Sequence, residues 1–364
     1  MSLVNRFFNF LVLPEPVDRS SSADHVVKRR ETIKLLRIIN WLSVSWSVLF
    51  ALIIGLFVSD YVNSAAGSDI WNYMTTVDEL SWDGFSYLGR ETQWIDYFKN
   101  EYIWFLIMYS FSSLWITTAV AFKLVSVISA FIFHQFISAR VGLVLATLFL
   151  LNPILLDLIC AQVRSGFAFA LFLLVVSFNT RKLVLWLAIP ILALIHSAMF
   201  VICPLYFVFS HFRQKRAATD WKEVIFAIGL GFVLAYILAV SVPQMMVILH
   251  DRRSQIVVEN VTLAYVAFWF LFGVALALLF KKTKTFSGEY LFSICILIFA
   301  PTLVFFDFSG FRFISLAYPV VVGSCGQLYT KQKYSMLGLL GLYQIVLYSY
   351  WIPQHNWDSI GSFG

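Results

Sequence analysis

Charge is what this chain has least of. Of its 364 residues only 13% are Asp, Glu, Lys or Arg, about half of the roughly 25% found in soluble domains. That shortage excludes a soluble enzyme and a disordered chain, both of which depend on ionised surface to stay in solution. Cysteine is scarce too: Cys160, Cys203, Cys295 and Cys325 are scattered through apolar runs. With no C-x-x-C pair and no histidine at zinc spacing, a disulfide scaffold is excluded and zinc has no ligand set. The phosphate-binding G-x-x-x-x-G-K-[ST] loop, H-E-x-x-H and G-x-S-x-G are also missing, so a nucleotide-driven pump or an intramembrane metalloprotease has no motif. No metal and no cofactor are expected. Internal repeats are absent, which gives no support to a transporter built from inverted halves.

What the chain has is apolar surface. Hydrophobic residues make up 60% of it, enough for at most about eleven bilayer spans of ~20 residues each. The expected fold is all-α, a polytopic transmembrane bundle of about eleven spans, within a range of about 10–12. The formal charge of +6 reads as topology and calls for no nucleic acid, because Lys and Arg gather in cytoplasmic loops. Phe7–Leu13 is too short for the apolar core of a signal peptide. Lys28, Arg29, Arg30, Lys34 and Arg37 precede a first span at 41–58 and put the N-terminus in the cytoplasm. Residues 59–101 form an acidic outer loop with Asp60, Asp69, Asp78, Glu79, Asp83, Glu91, Asp96 and Glu101.

Basic turns at Arg140, Arg181-Lys182, Arg213 to Arg216, Lys281-Lys282 and Lys331 then divide the rest. Spans fall near 141–157, 164–179, 183–196, 198–211, 221–242, 261–280, 288–306, 313–329 and 335–352. Parity leaves one crossing at 114–137 and makes 102–112 interfacial or re-entrant. The organisation is a cytoplasmic segment 1–40, a membrane bundle 41–352 with outer loops 59–101 and 243–260, and an outer tail 353–364.

An ionisable group at membrane depth is a functional hypothesis by default. Arg164 opens a span after Asn152-Pro153 breaks the preceding helix, and Arg312 lies at another outer turn beside Asp307. His196 stands ~21 Å along a helix from the Arg181-Lys182 turn. The loop 243–260 adds Arg252 and Arg253. This topology gathers them all on the side where arginines are the exception. A guanidinium grips phosphate through a bidentate fork, so Arg164, Arg312, Arg252 and Arg253 are candidate ligands for a pyrophosphate-bearing lipid headgroup. Asp69, Glu101 and His196 are candidate bases for a sugar hydroxyl. Trp71, Tyr73, Tyr102 and Gln162 flank them as candidate substrate contacts. Lys123 and Asp157 fall in or near apolar runs as buried partners left unassigned.

Four segments, in order, resemble the EpsG-like and Wzy-like polysaccharide polymerases of bacterial membranes. Gly67-Ser68-Asp69-Ile70-Trp71-Asn72-Tyr73 is similar to the family's G-[ST]-D-x-x-x-Y, and Glu101-Tyr102 opens an apolar helix as its E-x-[GY] segment does. Gln162-Val163-Arg164-Ser165-Gly166-Phe167-Ala168 looks like I-R-Q-x-[IL]-A, and Ala193-Leu194-Ile195-His196-Ser197-Ala198 looks like A-x-x-[FI]-H-x-[ST]-A. Ser165 departs from the family's glutamine, and 243–260 matches nothing in it. The resemblance covers roughly 40–330.

It implies a GT-C-like glycosyltransferase of the inner membrane with a periplasmic active face. Such an enzyme moves a glycan from undecaprenyl pyrophosphate onto another lipid-linked repeat unit, inverting the anomeric centre without a metal. The product would be O-antigen or a related surface polysaccharide, and the partners the lipid-linked donor and acceptor, the bilayer and a chain-length-determining copolymerase. Rival readings are another lipid-dependent glycosyltransferase, for which Asp78-Glu79 would serve, an O-antigen ligase, or a flippase that moves the lipid uncleaved.

Overall fold

The structure, a computed structural model, describes residues 41–63, 101–177, 182–210, 221–248, 262–283, 287–306 and 310–354. Among them the regular structure is helical, with one isolated bridge between Thr283 and Leu328. Helices follow from the solvent: apolar side chains on every face exclude water, so each backbone N–H and C=O must find its partner inside its own segment.

The elements run α1 (Trp41–Asn63), α2 (Tyr102–Ser113), α3 (Thr118–Val141), α4 (Leu143–Leu150), α5 (Pro153–Cys160), α6 (Val163–Ser177) and α7 (Lys182–Ile195). After these come α8 (Met199–Ser210), α9 (Trp221–Ile248), α10 (Leu263–Leu279), α11 (Gly288–Val304), α12 (Phe311–Gly326) and α13 (Thr330–Trp351). Helix α11 is the axis of one half, buried along nearly its whole length and packed by α8, α9, α10 and α12. Helix α3 plays that part in the other half, against α1, α4, α6 and α12.

Among the described residues four helices are long and apolar enough to cross a membrane, or five if the bent pair α4–α5 is one span. Six further apolar helices are shorter. The segments expected as crossings at 183–196 and 198–211 are the 14-residue α7 and the 12-residue α8, only ~21 and ~18 Å long at 1.5 Å per residue. The segment 102–112, expected as interfacial or re-entrant, is the helix α2, and the span expected after it at 114–137 is α3.

Two ion pairs lie near opposite ends of α3. Arg140 closes α3 beside α11: its Nε donates to Glu289 Oε2 at 3.0 Å, its Nη2 to Oε1 at 2.6 Å and its Nη1 to the Phe136 carbonyl at 2.9 Å. The Phe136 ring lies 3.4 Å beneath the guanidinium, and the Tyr206 hydroxyl donates to Glu289 Oε1 at 3.2 Å. Gly323 and Gly326 make room for this clamp, since a Cβ at Gly323 would lie 2.5 Å from Arg140 Cδ and one at Gly326 2.6 Å from the Arg140 carbonyl. Arg140, expected to mark a turn, thus ties α3, α8, α11 and α12 together.

At the opposite end α1 outlasts its expected limit at residue 58, and Asp60 is helical and buried, not in an outer loop. A π turn at Ile54–Val58 precedes it, where Gly55 meets α3 so closely that a Cβ would sit 2.4 Å from Val127. Beyond the π turn, Asp60 pairs with Lys123 of α3 at 3.0 Å.

The break between α4 and α5 bends the chain by 71°. Asn152 caps α5 by accepting the Ile154 N–H at 3.0 Å, with Pro153 in the first turn, as its fixed φ favours. Two carbonyls released by the bend are held from α13: Gln344 Nε2 donates to Leu148 O at 3.1 Å, and the Tyr348 hydroxyl donates to Leu151 O.

Candidate functional site

Glu101 is the centre of the site. It precedes α2 as its N-cap, in the left-handed region at φ 53° and ψ 52°. For a residue with a Cβ this costs roughly 1–2 kcal/mol, and such conformations persist where the surroundings over-determine them. Here three contacts do so. Glu101 Oε2 pairs with Arg164 Nη1, while Oε1 lies 2.6 Å from His196 Nδ1 and accepts the Ser197 N–H at 3.2 Å. The carboxylate side chain is 3% exposed against 13% for Arg164 and 15% for His196, so the acid lies behind and its two partners face outward.

Each partner is positioned by local chain geometry. Arg164 sits in the first turn of α6, just past a tight connection from α5. The N–H groups of Ala161 and Gln162 both donate to the Asp157 carbonyl, at 2.9 and 2.8 Å, and Gln162 Nε2 braces the Asp157 carboxylate at 2.8 Å. Gly166 lets the two helices close, because a Cβ there would stand 2.3 Å from the Leu158 carbonyl oxygen. His196 lies in the three-residue turn between α7 and α8, where its N–H donates to Leu192 O at 2.9 Å and its carbonyl accepts from Met199 at 3.0 Å. The same turn aims the Ser197 amide at Glu101.

Electrostatics keep the acid ionised. Burial works to raise the Glu101 pKa, but the charge and hydrogen bond of His196, then Arg164, then the Ser197 amide outweigh it and hold the carboxyl well below its usual range. A carboxylate only accepts, so Nδ1 of His196 must carry the proton between them. In the neutral form of the ring, Nε2 is then the basic nitrogen.

Of the residues expected from the sequence, Glu101, Arg164 and His196 are brought together. Gln162 is at the same hairpin, engaged with Asp157, and Tyr102 is the half-buried first residue of α2. Arg312 is exposed on the first turn of α12. Asp69, Trp71, Tyr73, Arg252 and Arg253 lie outside the described residues, as do the expected segment 1–40 and most of both outer loops. Among the described residues no three His, Cys, Asp or Glu side chains converge as metal ligands, and the four cysteines are buried free thiols.

Sequence reading missed the Ser197 amide, a backbone group with no side-chain signature. It also passed over His134, fully buried in α3, whose Nδ1 lies 2.7 Å from Ser47 Oγ and Nε2 3.0 Å from Thr147 Oγ1. With Gln135 Nε2 on the same Ser47 oxygen and Trp46 Nε1 on the same Thr147 oxygen, it ties α1, α3 and α4 by a satisfied polar network. No protein-family model matches the chain, and neither does any curated protein or solved structure.

Proposed function

We propose that this protein is a membrane glycosyltransferase of the polymerase type, moving a glycan from undecaprenyl pyrophosphate onto a hydroxyl of a second lipid-linked repeat unit. One observation carries the reading. Glu101, Arg164 and His196 come from three separate segments of the family resemblance, the acid and the histidine 95 residues apart, and meet in one ion-paired cluster. The same proposal includes a GT-C-like bundle of about eleven crossings in the inner membrane, with this cluster on the periplasmic side and the N-terminus in the cytoplasm. Charge placement supports that orientation: Arg140, Lys281, Lys282, Lys331 and Lys333 lie at the end opposite the cluster, the side favoured for the cytoplasm.

In this mechanism His196 Nε2 takes the proton of the acceptor hydroxyl as that oxygen attacks the anomeric carbon. The new C–O bond forms as the bond to the pyrophosphate oxygen breaks, with inversion, and the electron pair leaves on the pyrophosphate. Arg164 stabilises that developing charge. A guanidinium has five N–H donors in a rigid fork, and the contact with Glu101 is made through Nη1. Glu101, buried and ionised, is a positioning residue. It fixes the imidazole tautomer and stabilises the imidazolium formed when the proton arrives.

The test uses purified protein and an undecaprenyl-pyrophosphate repeat unit, with neither nucleotide sugar nor metal added. A ladder of repeats on a gel that disappears in Arg164→Ala is the expected result. Lipid substrate carried intact across a vesicle, with no ladder, would replace the polymerase by a flippase. Addition of a single sugar would replace it by another lipid-dependent transferase, and transfer to a lipid A core acceptor by a ligase.

A further inference from the structure

At the end of the bundle opposite Glu101, two chain connections are sewn together through their backbones. Helix α10 runs into a single 3-10 turn, Phe280–Lys282. The Lys282 carbonyl accepts the Tyr329 N–H at 2.8 Å, Thr283 and Leu328 form the isolated bridge, and Ser287 Oγ donates to Gln327 Oε1 at 2.9 Å. Lys281 and Lys282 are thereby fixed beside the start of α13, where Lys331 and Lys333 stand in the opening residues of the helix. The Trp221 ring packs on Phe280 with centroids 4.5 Å apart and brings the start of α9 to the same place.

The fold leaves these lysines facing outward. Lys281, Lys282 and Lys331 are exposed, and among the described residues no carboxylate pairs with any of them. Two described acids share this end. Glu289 gives its oxygens to Arg140 and Tyr206, and Glu223, in the first turn of α9, is half-buried. Lys333 has a different part: its Nζ reaches the Val141 carbonyl at 3.4 Å and ties the patch to α3. Like charges gathered by the backbone in this way repel one another, and an anion brought among them relieves that repulsion.

What lies next along the helices selects the kind of anion. Trp221, Tyr329 and Tyr334 are exposed at the level of the lysines or one turn further in. Such rings, apolar in body and polar at the tip, settle at the membrane–water interface. Deeper still, α10 exposes Leu278 and Leu271, and α13 exposes Leu339, Leu342 and Val346, each set on one face of its helix. The two helices are neighbours, with the Phe268 and Tyr343 rings stacked at 3.7 Å. Charge, then aromatic rings, then bare aliphatic surface is the profile of a phospholipid read from headgroup to tail. A soluble phosphate would meet only the first of these. The residue type agrees, because lysine offers a mobile point charge on a long apolar stem, suited to a phosphodiester that turns in a fluid leaflet. We infer that this end of the bundle binds an anionic phospholipid, with Lys281, Lys282 and Lys331 around its phosphate and its chains along the exposed leucines of α10 and α13. The site stands at the other end from the Glu101 cluster and is independent of any catalytic reading.

Native mass spectrometry of the full chain in detergent, titrated with phosphatidylglycerol or with phosphatidylcholine, tests it. A lysine near an anionic headgroup is worth roughly fivefold in affinity, so the first phosphatidylglycerol should bind at least ~10-fold more tightly than the first phosphatidylcholine. Replacing all three residues, Lys281→Gln, Lys282→Gln and Lys331→Gln, should remove that preference and leave phosphatidylcholine binding as it was. The matching Lys→Arg variant keeps the charge and should keep the preference. Equal affinity of the unaltered protein for the two lipids would overturn the site, as would a preference unchanged by the glutamine substitutions. A preference lost in the arginine variant as well would trace it to the shape of this end instead of its charge, and would also overturn it. Inorganic phosphate at constant ionic strength separates the two sources of the anion. Undisturbed phosphatidylglycerol binding keeps the lipid as the occupant, whereas displacement would reassign the lysines to a soluble phosphate and overturn the lipid site.

Discussion

Among the described residues two Arg–Glu pairs stand out, one near each end of the bundle, and they are built differently. Arg140 meets Glu289 with both arms of its fork, rests on Phe136, caps a carbonyl and is boxed in by Gly323 and Gly326. Arg164 meets Glu101 through Nη1, and that carboxylate is shared with a histidine and a backbone amide. The same two residue types make a closed clamp in one place and a shared, outward-facing cluster in the other. What differs is how the acid's lone pairs are divided and which partners face outward.

The sharpest way to break the comparison is at the clamp. Arg140→Ala leaves Glu289 partly buried without its guanidinium, and loss of one member of such a pair costs about 3–5 kcal/mol. Thermal unfolding in detergent should drop steeply while activity per folded molecule stays unchanged. Arg164→Ala should do the reverse. Activity falls about 10²–10³-fold, the loss seen when one donor to a developing anion is removed, with a smaller fall in melting temperature. Equal losses of both quantities in both variants would erase the distinction.

A smaller effect is expected at Gly323→Ala, which forces a methyl group onto the Arg140 side chain. Overpacking of this kind costs typically about 1–3 kcal/mol, read as a lower melting temperature with unaltered product length.

Glu101→Gln sharpens the other half through pH. Since the folded carboxyl is held below its ordinary range, the stability it contributes is complete above the ordinary glutamate pKa and is lost as pH falls through the depressed value. The variant should melt lower at neutral pH and lose less on acidification, so the two curves converge toward acid. Parallel curves would show that the carboxylate carries no such linkage.

Membrane character and helical class were legible because they rest on composition, which needs no partner. The identities of Glu101, Arg164 and His196 were legible as well, each an ionisable residue in an apolar setting inside a recognisable segment. Their meeting was not. It depends on a left-handed N-cap, a hairpin closed by Gly166 and a three-residue turn, and none of these has a periodicity to read. Lys123 stood out as a buried charge, but its partner Asp60 was hidden inside what read as an acidic loop, because the helix extends five residues past the hydrophobic run. The number of crossings follows less directly from apolar runs, since among the described residues four helices, or five with the bent pair as one span, are long and apolar enough to cross. Apolar length marks burial in protein as readily as burial in lipid, and α11 shows how fully a helix can be enclosed by its neighbours.

The π turn in α1 has a consequence for how such a chain tolerates change. It holds one more residue than a regular turn, and each residue of an α-helix advances the phase by about 100°. Removal of any one residue from 54–58 would give a helix of nearly the same composition and slightly tidier hydrogen bonding. Asp60 would keep its direction toward Lys123, because a regular turn with one residue fewer completes the same full turn. A three-base deletion inside the π turn would thus be absorbed, whereas the same deletion in the regular helix before it would rotate Asp60 by about 100° away from Lys123.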